Sequence, residues 1–218
     1  MNNGKLHVKG IMFDLDGTIL DTKPAYLEAA RIAFKATSQQ TPNDSAALEI
    51  PKRMEQKLPL NDIVKADLKS FVEVYLKAFY SISASKTKPF PNTSATLDVL
   101  SQKAKLAVIT MRFVPCGTVV KELRQFQLDH YFAHVLTALD THKPKPSPEA
   151  LIKAVAAMDM QMCDCIIVGD SVVDVEAGKA AGAKTVSVLT GLYSRVELSK
   201  SKPDYILNNV SELPNLLE

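Results

Sequence analysis

The sequence predicts an α/β protein: a doubly wound (Rossmann-like), mainly parallel sheet with an all-helical segment inserted after its first strand. Three observations carry this. Apolar, β-branched runs recur along the chain, nearly unbroken, as strands buried on both faces require. Segments of helical periodicity separate those runs, the order that builds a parallel sheet from crossover units. One stretch, residues 21–88, breaks the alternation and carries helical patterns with no convincing strand.

The first strand is read at residues 7–13, HVKGIMF, which run into the acids of DLDGT. The inserted segment follows. AYLEAARIAF (25–34) has helical spacing, and so has 62–80, where Val64, Leu68, Phe71, Val72, Tyr75 and Phe79 share one face. A polar stretch with Pro42, Pro51 and Pro59 divides the two, with EIPKRMEQKLP (49–59) read as its central loop. KTKPFPNTS (86–94) returns the chain to the sheet. Strands are then expected at 105–110 (KLAVIT), 165–170 (CIIVGD) and 184–189 (KTVSVL), with short ones at 134–139 (HVLTAL) and 204–207 (DYIL). Helices are expected at 93–103, 117–127, 148–158 and 172–181. Two domains result: an α/β core of residues 1–20 and 89–218, and a helical domain of residues 21–88.

The 218 residues suffice for one large domain or a domain with a lid, and 46% apolar with 23% charged residues is ordinary globular composition. A net charge of +2 argues against a nucleic-acid partner. No apolar run approaches a membrane span, and MNNGKLHVKG lacks the apolar segment of a secretory signal, so a cytoplasmic protein is expected. Cys116, Cys163 and Cys165 make no disulfide framework and are expected as free thiols. A monomer or a homodimer is expected.

Open α/β sheets bind ligands beyond the carboxyl ends of their strands. Asp14 and Asp16 close the first strand, Thr110 closes KLAVIT, and Asp170 closes CIIVGD, with Ser171 next and Asp174 four residues on. In a strand, residues two apart point to one side, so Asp14 and Asp16 are expected to face the same way. HKPKPSPE, ahead of the CIIVGD strand, supplies Lys143 and Lys145. Clustered carboxylates repel unless a cation intervenes, and Mg²⁺ accepts such hard oxygens. Acids, a hydroxyl and a lysine at one sheet edge therefore suit a metal ion with a phosphoryl group. A calcium loop does not fit, because Ala25 stands where its pattern needs an acid and a strand precedes the acids.

In chain order DLDGT, the Thr of VIT, KPSPE and GDSVVD are similar to the four motifs of the haloacid dehalogenase-like hydrolase superfamily, in its phosphatase branch. The chain most resembles the phosphoglycolate phosphatase-type members over essentially its whole length, the helical insert matching their cap. The resemblance implies Asp14 as the nucleophile forming an aspartyl-phosphate, and Asp16 as general acid and then base. It implies Thr110 and the Met111 backbone N–H on phosphate oxygens, and a lysine neutralising charge. Lys145 is chosen for that role, because Glu149 completes the KPxPE pattern; Lys143 is the alternative. Mg²⁺ would be held by Asp14, the main-chain carbonyl of Asp16 and Asp170, with Asp174 a further or alternative ligand. The cap would read the leaving group, with Arg53 and Lys57 offered to an anionic end.

The family commonly has Ser, Asn or Gly after the Thr, whereas Met111 and Arg112 follow here. The implied activity is a Mg²⁺-dependent phosphatase of small phosphorylated metabolites, phosphoglycolate leading. Hydrolysis of inorganic pyrophosphate or of a sugar phosphate, or a mutase, on the same site are the alternatives. Thr18 disfavours the mutase. An idle relative acting as a binding protein, and a phospho-receiver domain, are the readings from other classes.

Overall fold

A computed structural model describes residues 5–218. Residues 1–4, the head of the stretch in which no secretory signal is expected, lie outside the described residues. The chain forms two compact units: residues up to Leu20 together with Pro89–Glu218, and Asp21–Lys88. The strands are β1 (Gly10–Phe13), β2 (Leu20–Asp21), β3 (Lys88–Pro89), β4 (Lys105–Ile109), β5 (Phe132–Leu136), β6 (Cys165–Gly169), β7 (Lys184–Val188) and β8 (Tyr205–Leu207). The helices used below are α1 (Lys23–Ala36), α2 (Asp44–Glu55), α3 (Leu68–Lys86), α4 (Thr93–Ser101), α5 (Cys116–Gln125), α6 (Glu149–Ala157) and α7 (Val172–Ala181).

Six strands make a parallel sheet in the order β5-β4-β1-β6-β7-β8, and β2 pairs with β3 in a separate ribbon. Alternate side chains of each strand go to opposite faces, and both faces are covered. Ile11, Phe13, Leu106, Val108, Ile166 and Val168 pack with Leu97 and Leu100 of α4 and Val119 and Leu123 of α5. Met12, Ala107, Ile109 and Ile167 pack with Leu151, Ala154 and Val155 of α6 and Ala177 of α7. A strand buried on both faces cannot alternate with polar residues, which is why GIMF and CIIVG are unbroken apolar runs. The chain steps outward from β1 to β4 and β5, then returns to β6 on β1's other side. That reversal beside β1 is where an open sheet leaves a crevice for ligand.

The unit Asp21–Lys88 has a core of its own. Ala25, Ala29, Ala30 and Ala33 line one face of α1, and Phe34, Phe71 and Tyr75 fill the space beside them. The Phe34 and Phe71 rings meet edge to face at 4.8 Å. The Asn43 side chain caps α2 by accepting from Ala46 N at 2.9 Å, and Asp67 caps α3 by accepting from Ser70 N at 2.8 Å.

Several boundaries differ from the sequence reading. Of the loop read at 49–59 only 56–59 is non-helical: α2 runs through Pro51 to Glu55. Proline removes one helical hydrogen bond and usually ends a helix, which is what misled the reading. Only Ala47 and Ile50 of α2 are buried, too few to show a period. Residues 62–67 are not α-helical; Val64 is buried from a turn closed by Val64 N–H on Leu60 O at 2.8 Å. The strand read at 134–139 ends at Leu136, where Thr137 caps a short 3-10 turn, Ala138–Asp140. Residues 7–9 precede β1 rather than join it. All three cysteines are free. Among the described residues, no helix is long and apolar enough to cross a membrane.

Candidate active site

Asp14 is the first residue beyond β1, and its N–H continues the parallel ladder to Val168 O at 2.8 Å. That bond sets the carboxylate at the carboxyl edge of the sheet, between the ends of β4 and β6. Lys145 reaches it from the loop before α6. The ammonium donates to Asp14 Oδ1 at 2.6 Å, to Asp174 Oδ1 at 2.5 Å and to Ile109 O at 3.0 Å. Three acceptors match its three hydrogens. Lys145 is 2% exposed and Asp14 7%. Burial pushes the Asp14 carboxyl up to about 8, with Lys145 pulling against it and Asp174 and Asp16 adding to it. Burial also works against the Lys145 charge, but Asp14 and Asp174 outweigh it and hold the ammonium above the ordinary lysine range.

The loop carrying Lys145 is tied at both ends. Glu149, the first residue of α6, accepts from the N–H groups of His142 and Lys143, each at 3.0 Å. Those bonds, with Lys153, draw its carboxyl down to about 2. Lys143 itself is exposed; of the two candidate lysines, Lys145 is the one at the acids.

GDSVVD forms the junction of β6 and α7. Ser171 is the N-cap, accepting from Asp174 N–H at 3.4 Å, while Asp174 Oδ2 accepts from Ser171 N at 3.2 Å and Ser171 Oγ at 2.7 Å. The capping box therefore leaves Asp174 Oδ1 to face Lys145. Asp170 accepts at Oδ1 from Thr18 Oγ1 at 2.9 Å. The carboxylate lies against backbone: a Cβ on Gly17, whose φ is +87°, would stand 2.6 Å from Asp170 Oδ2. A Cβ on Gly191 would enter the carboxylate itself. Thr190 Oγ1 donates to Gly17 O at 2.6 Å and holds this turn in place.

The Asp16 carboxylate is held by a different cation from that of Asp14. β1 ends at Phe13, so strand alternation no longer governs either acid. The Asp16 carboxylate meets the guanidinium of Arg112, Nε to Oδ2 at 2.8 Å and Nη2 to Oδ1 at 2.6 Å. Arg112 Nη1 donates to Glu122 Oε2 of α5 at 2.5 Å. Burial disfavours the guanidinium charge, but Asp16 and Glu122 more than offset this and raise its pKa.

Carboxylate oxygens of Asp14, Asp170 and Asp174, all buried, lie within 4.8 Å of one another. A set of hard anionic oxygens this close fits a hard divalent cation such as Mg²⁺. The cluster brings in Asp174 in place of the side chain of Asp16, whose expected contribution is its main-chain carbonyl. Thr110 follows β4 and is buried; its N–H bonds Leu136 O at 3.0 Å and its hydroxyl accepts from Arg112 N–H at 3.3 Å. Met111, next to it, is half-buried. Arg53 belongs to the other unit, on α2, where Nη1 pairs with Asp62 at 2.6 Å and Nε faces Glu49 at 3.6 Å. Lys57 follows α2 with φ of +57°. The sequence reading missed the partnership of Arg112 with Asp16 and Glu122. A buried glutamate in an amphipathic helix was the available sign, because such a charge needs a cation nearby.

The family model described as haloacid dehalogenase-like hydrolase matches residues 11–188. Pyrophosphatase PpaX of Anoxybacillus flavithermus is 29% identical over 219 residues, spanning 97% of this chain and 98% of its own. A phosphoglycolate phosphatase of Neisseria meningitidis is 30% identical over 226 residues, spanning 98% of this chain and 95% of its own. Among solved structures, a haloacid dehalogenase-like family protein of Streptococcus pneumoniae shares the fold. Its TM-score is 0.79 over 95% of this chain and 97% of its own, at 20% identity.

Proposed function

The chain belongs to the haloacid dehalogenase-like hydrolases and is an enzyme of that family, and from that premise we propose that it is a Mg²⁺-dependent phosphatase of small phosphomonoesters working through an aspartyl-phosphate on Asp14. One observation carries the reading: the buried Lys145 ammonium bonded to Asp14 and Asp174, in a group of three acids beyond β1 and β6.

In this mechanism an Asp14 oxygen attacks phosphorus in line with the ester bond. The new O–P bond forms as the bond to the leaving oxygen breaks, and Asp16 supplies the proton that oxygen takes up. Asp16 then takes a proton from water as the water attacks phosphorus, releasing phosphate and freeing Asp14. The Lys145 ammonium, the Thr110 hydroxyl and the Met111 N–H would stabilise charge on the phosphoryl oxygens. Asp14, Asp170 and the Asp16 carbonyl would hold Mg²⁺, with Asp174 orienting Lys145. When bound, the ion offsets negative charge between the nucleophile and the phosphoryl group.

Phosphoglycolate is the leading substrate; pyrophosphate is the second reading, because a pyrophosphatase is about as similar along the full chain. The unit Asp21–Lys88 is the proposed cap that reads the leaving group, with Arg53 its candidate cation. Assay of phosphate release from p-nitrophenyl phosphate, phosphoglycolate, pyrophosphate and sugar phosphates, with and without Mg²⁺, tests the proposal. Mg²⁺-dependent turnover that disappears in Asp14→Asn is expected; metal-independent turnover, or none on any ester, contradicts it. In Arg53→Ala, KM for phosphoglycolate should rise about tenfold, the scale of one lost charged hydrogen bond, with KM for p-nitrophenyl phosphate unchanged. An equal change on both removes Arg53 from recognition.

A further inference from the structure

We propose that Arg112 is a positioning residue for this reaction: it fixes the Asp16 carboxylate in the orientation that serves the leaving oxygen, and Glu122 in turn fixes Arg112. The inference rests on the reading of Asp16 as the acid and base. Asp16 needs an external hold, because it lies past the end of β1 and directly before Gly17, whose φ is +87°. The guanidinium supplies one. Its two parallel N–H bonds, at 2.8 and 2.6 Å, set both the place and the plane of the carboxylate, which a single ammonium contact would not do. The other end of the guanidinium is set by Glu122 at 2.5 Å, from a helix packed on the sheet. The backbone of Arg112 is fixed as well: its N–H bonds the Thr110 hydroxyl at 3.3 Å, and its carbonyl accepts from Ala138 N–H at 3.1 Å.

A purely structural role explains this arrangement less well. Arg112 is 4% exposed and Glu122 3%, and a buried ion cluster of this kind is often no more stable than apolar residues of the same volume. What the cluster supplies is orientation, delivered from α5 to the one reacting acid that the sheet does not hold.

The test is a set of four variants, Arg112→Gln, Glu122→Gln, Asp16→Asn and the double Asp16→Asn/Arg112→Gln, measured as kcat/KM. That quantity reports the step in which the leaving group departs. Phosphoglycolate, whose alkoxide needs a proton, is compared with p-nitrophenyl phosphate, whose phenolate does not. Arg112→Gln should lose about 100-fold on phosphoglycolate, the scale of one positioned acid, and less than about tenfold on p-nitrophenyl phosphate. Glu122→Gln should show the same preference with smaller losses, and it carries the test if Arg112→Gln does not fold. On phosphoglycolate the double variant should match Asp16→Asn within about twofold, because two residues acting through one group do not add. Equal losses on both substrates, or losses that multiply in the double variant, overturn the proposal. Full activity in Asp16→Asn removes the parent reading as well; impaired Asp16→Asn beside unimpaired Arg112→Gln and Glu122→Gln removes Arg112 alone.

Discussion

Lys145 holds apart two carboxylates that would otherwise repel across a buried gap. Lys145→Met keeps the length and apolar stem and removes the charge. Asp14 and Asp174 are then left without their shared cation, which should cost about 3–5 kcal/mol in urea unfolding. Turnover should fall by about 10²–10³, the size of one lost electrostatic contact at a reacting oxygen. Wild-type turnover in this variant would take Lys145 out of the mechanism. The acids of DLDGT and Asp170 of GDSVVD are readable because they follow apolar strand runs, and the lysine of KPSPE because it lies in a Pro-framed loop, the one before α6. Arg112 was not readable, because its two partners lie 96 and 10 residues away and only folding makes them neighbours.

At the scale of elements, the loop between β5 and α6 depends on one carboxylate. Glu149 titrates near 4.5 when unfolded and is drawn down to about 2 by the two loop N–H groups and Lys153. A group with a depressed folded pKa binds fewer protons in the native state, so its contribution is complete above about pH 4.5 and is lost as pH falls toward 2. Amide protection at His142 and Lys143, taken relative to the intrinsic exchange rate at each pH, should therefore fall through that window in the parent protein, and Glu149→Gln should remove the pH step. An unchanged step would show that another group holds the loop. Strands such as CIIVG and helix α7 were legible because burial and capping are local signals. Helix α2 was hidden because Pro51 contradicts it locally, while its Asn43 cap and two buried residues give little periodic signal in return.

For the whole molecule, sequence shows that parallel strands exist but not which are neighbours, since that depends on pairing between distant segments. The order β5-β4-β1-β6-β7-β8 decides the chemistry: it puts β1 between β4 and β6 and so sets Asp14 between the ends that carry Thr110 and Asp170. The two units divide the chain at Leu20 and Pro89, and every residue assigned to bond-making lies in the larger one. The central claim is that a carboxylate of this sheet edge takes the phosphoryl group. Acid quench during turnover of p-nitrophenyl phosphate, borohydride reduction and peptide mass spectrometry test it directly, because an acyl phosphate is reduced to an alcohol where a free carboxylate is not. Homoserine at position 14, present only with substrate and absent in Asp14→Asn, is the predicted result. Reduction at another residue, or product release with no reducible intermediate at Asp14, would contradict it.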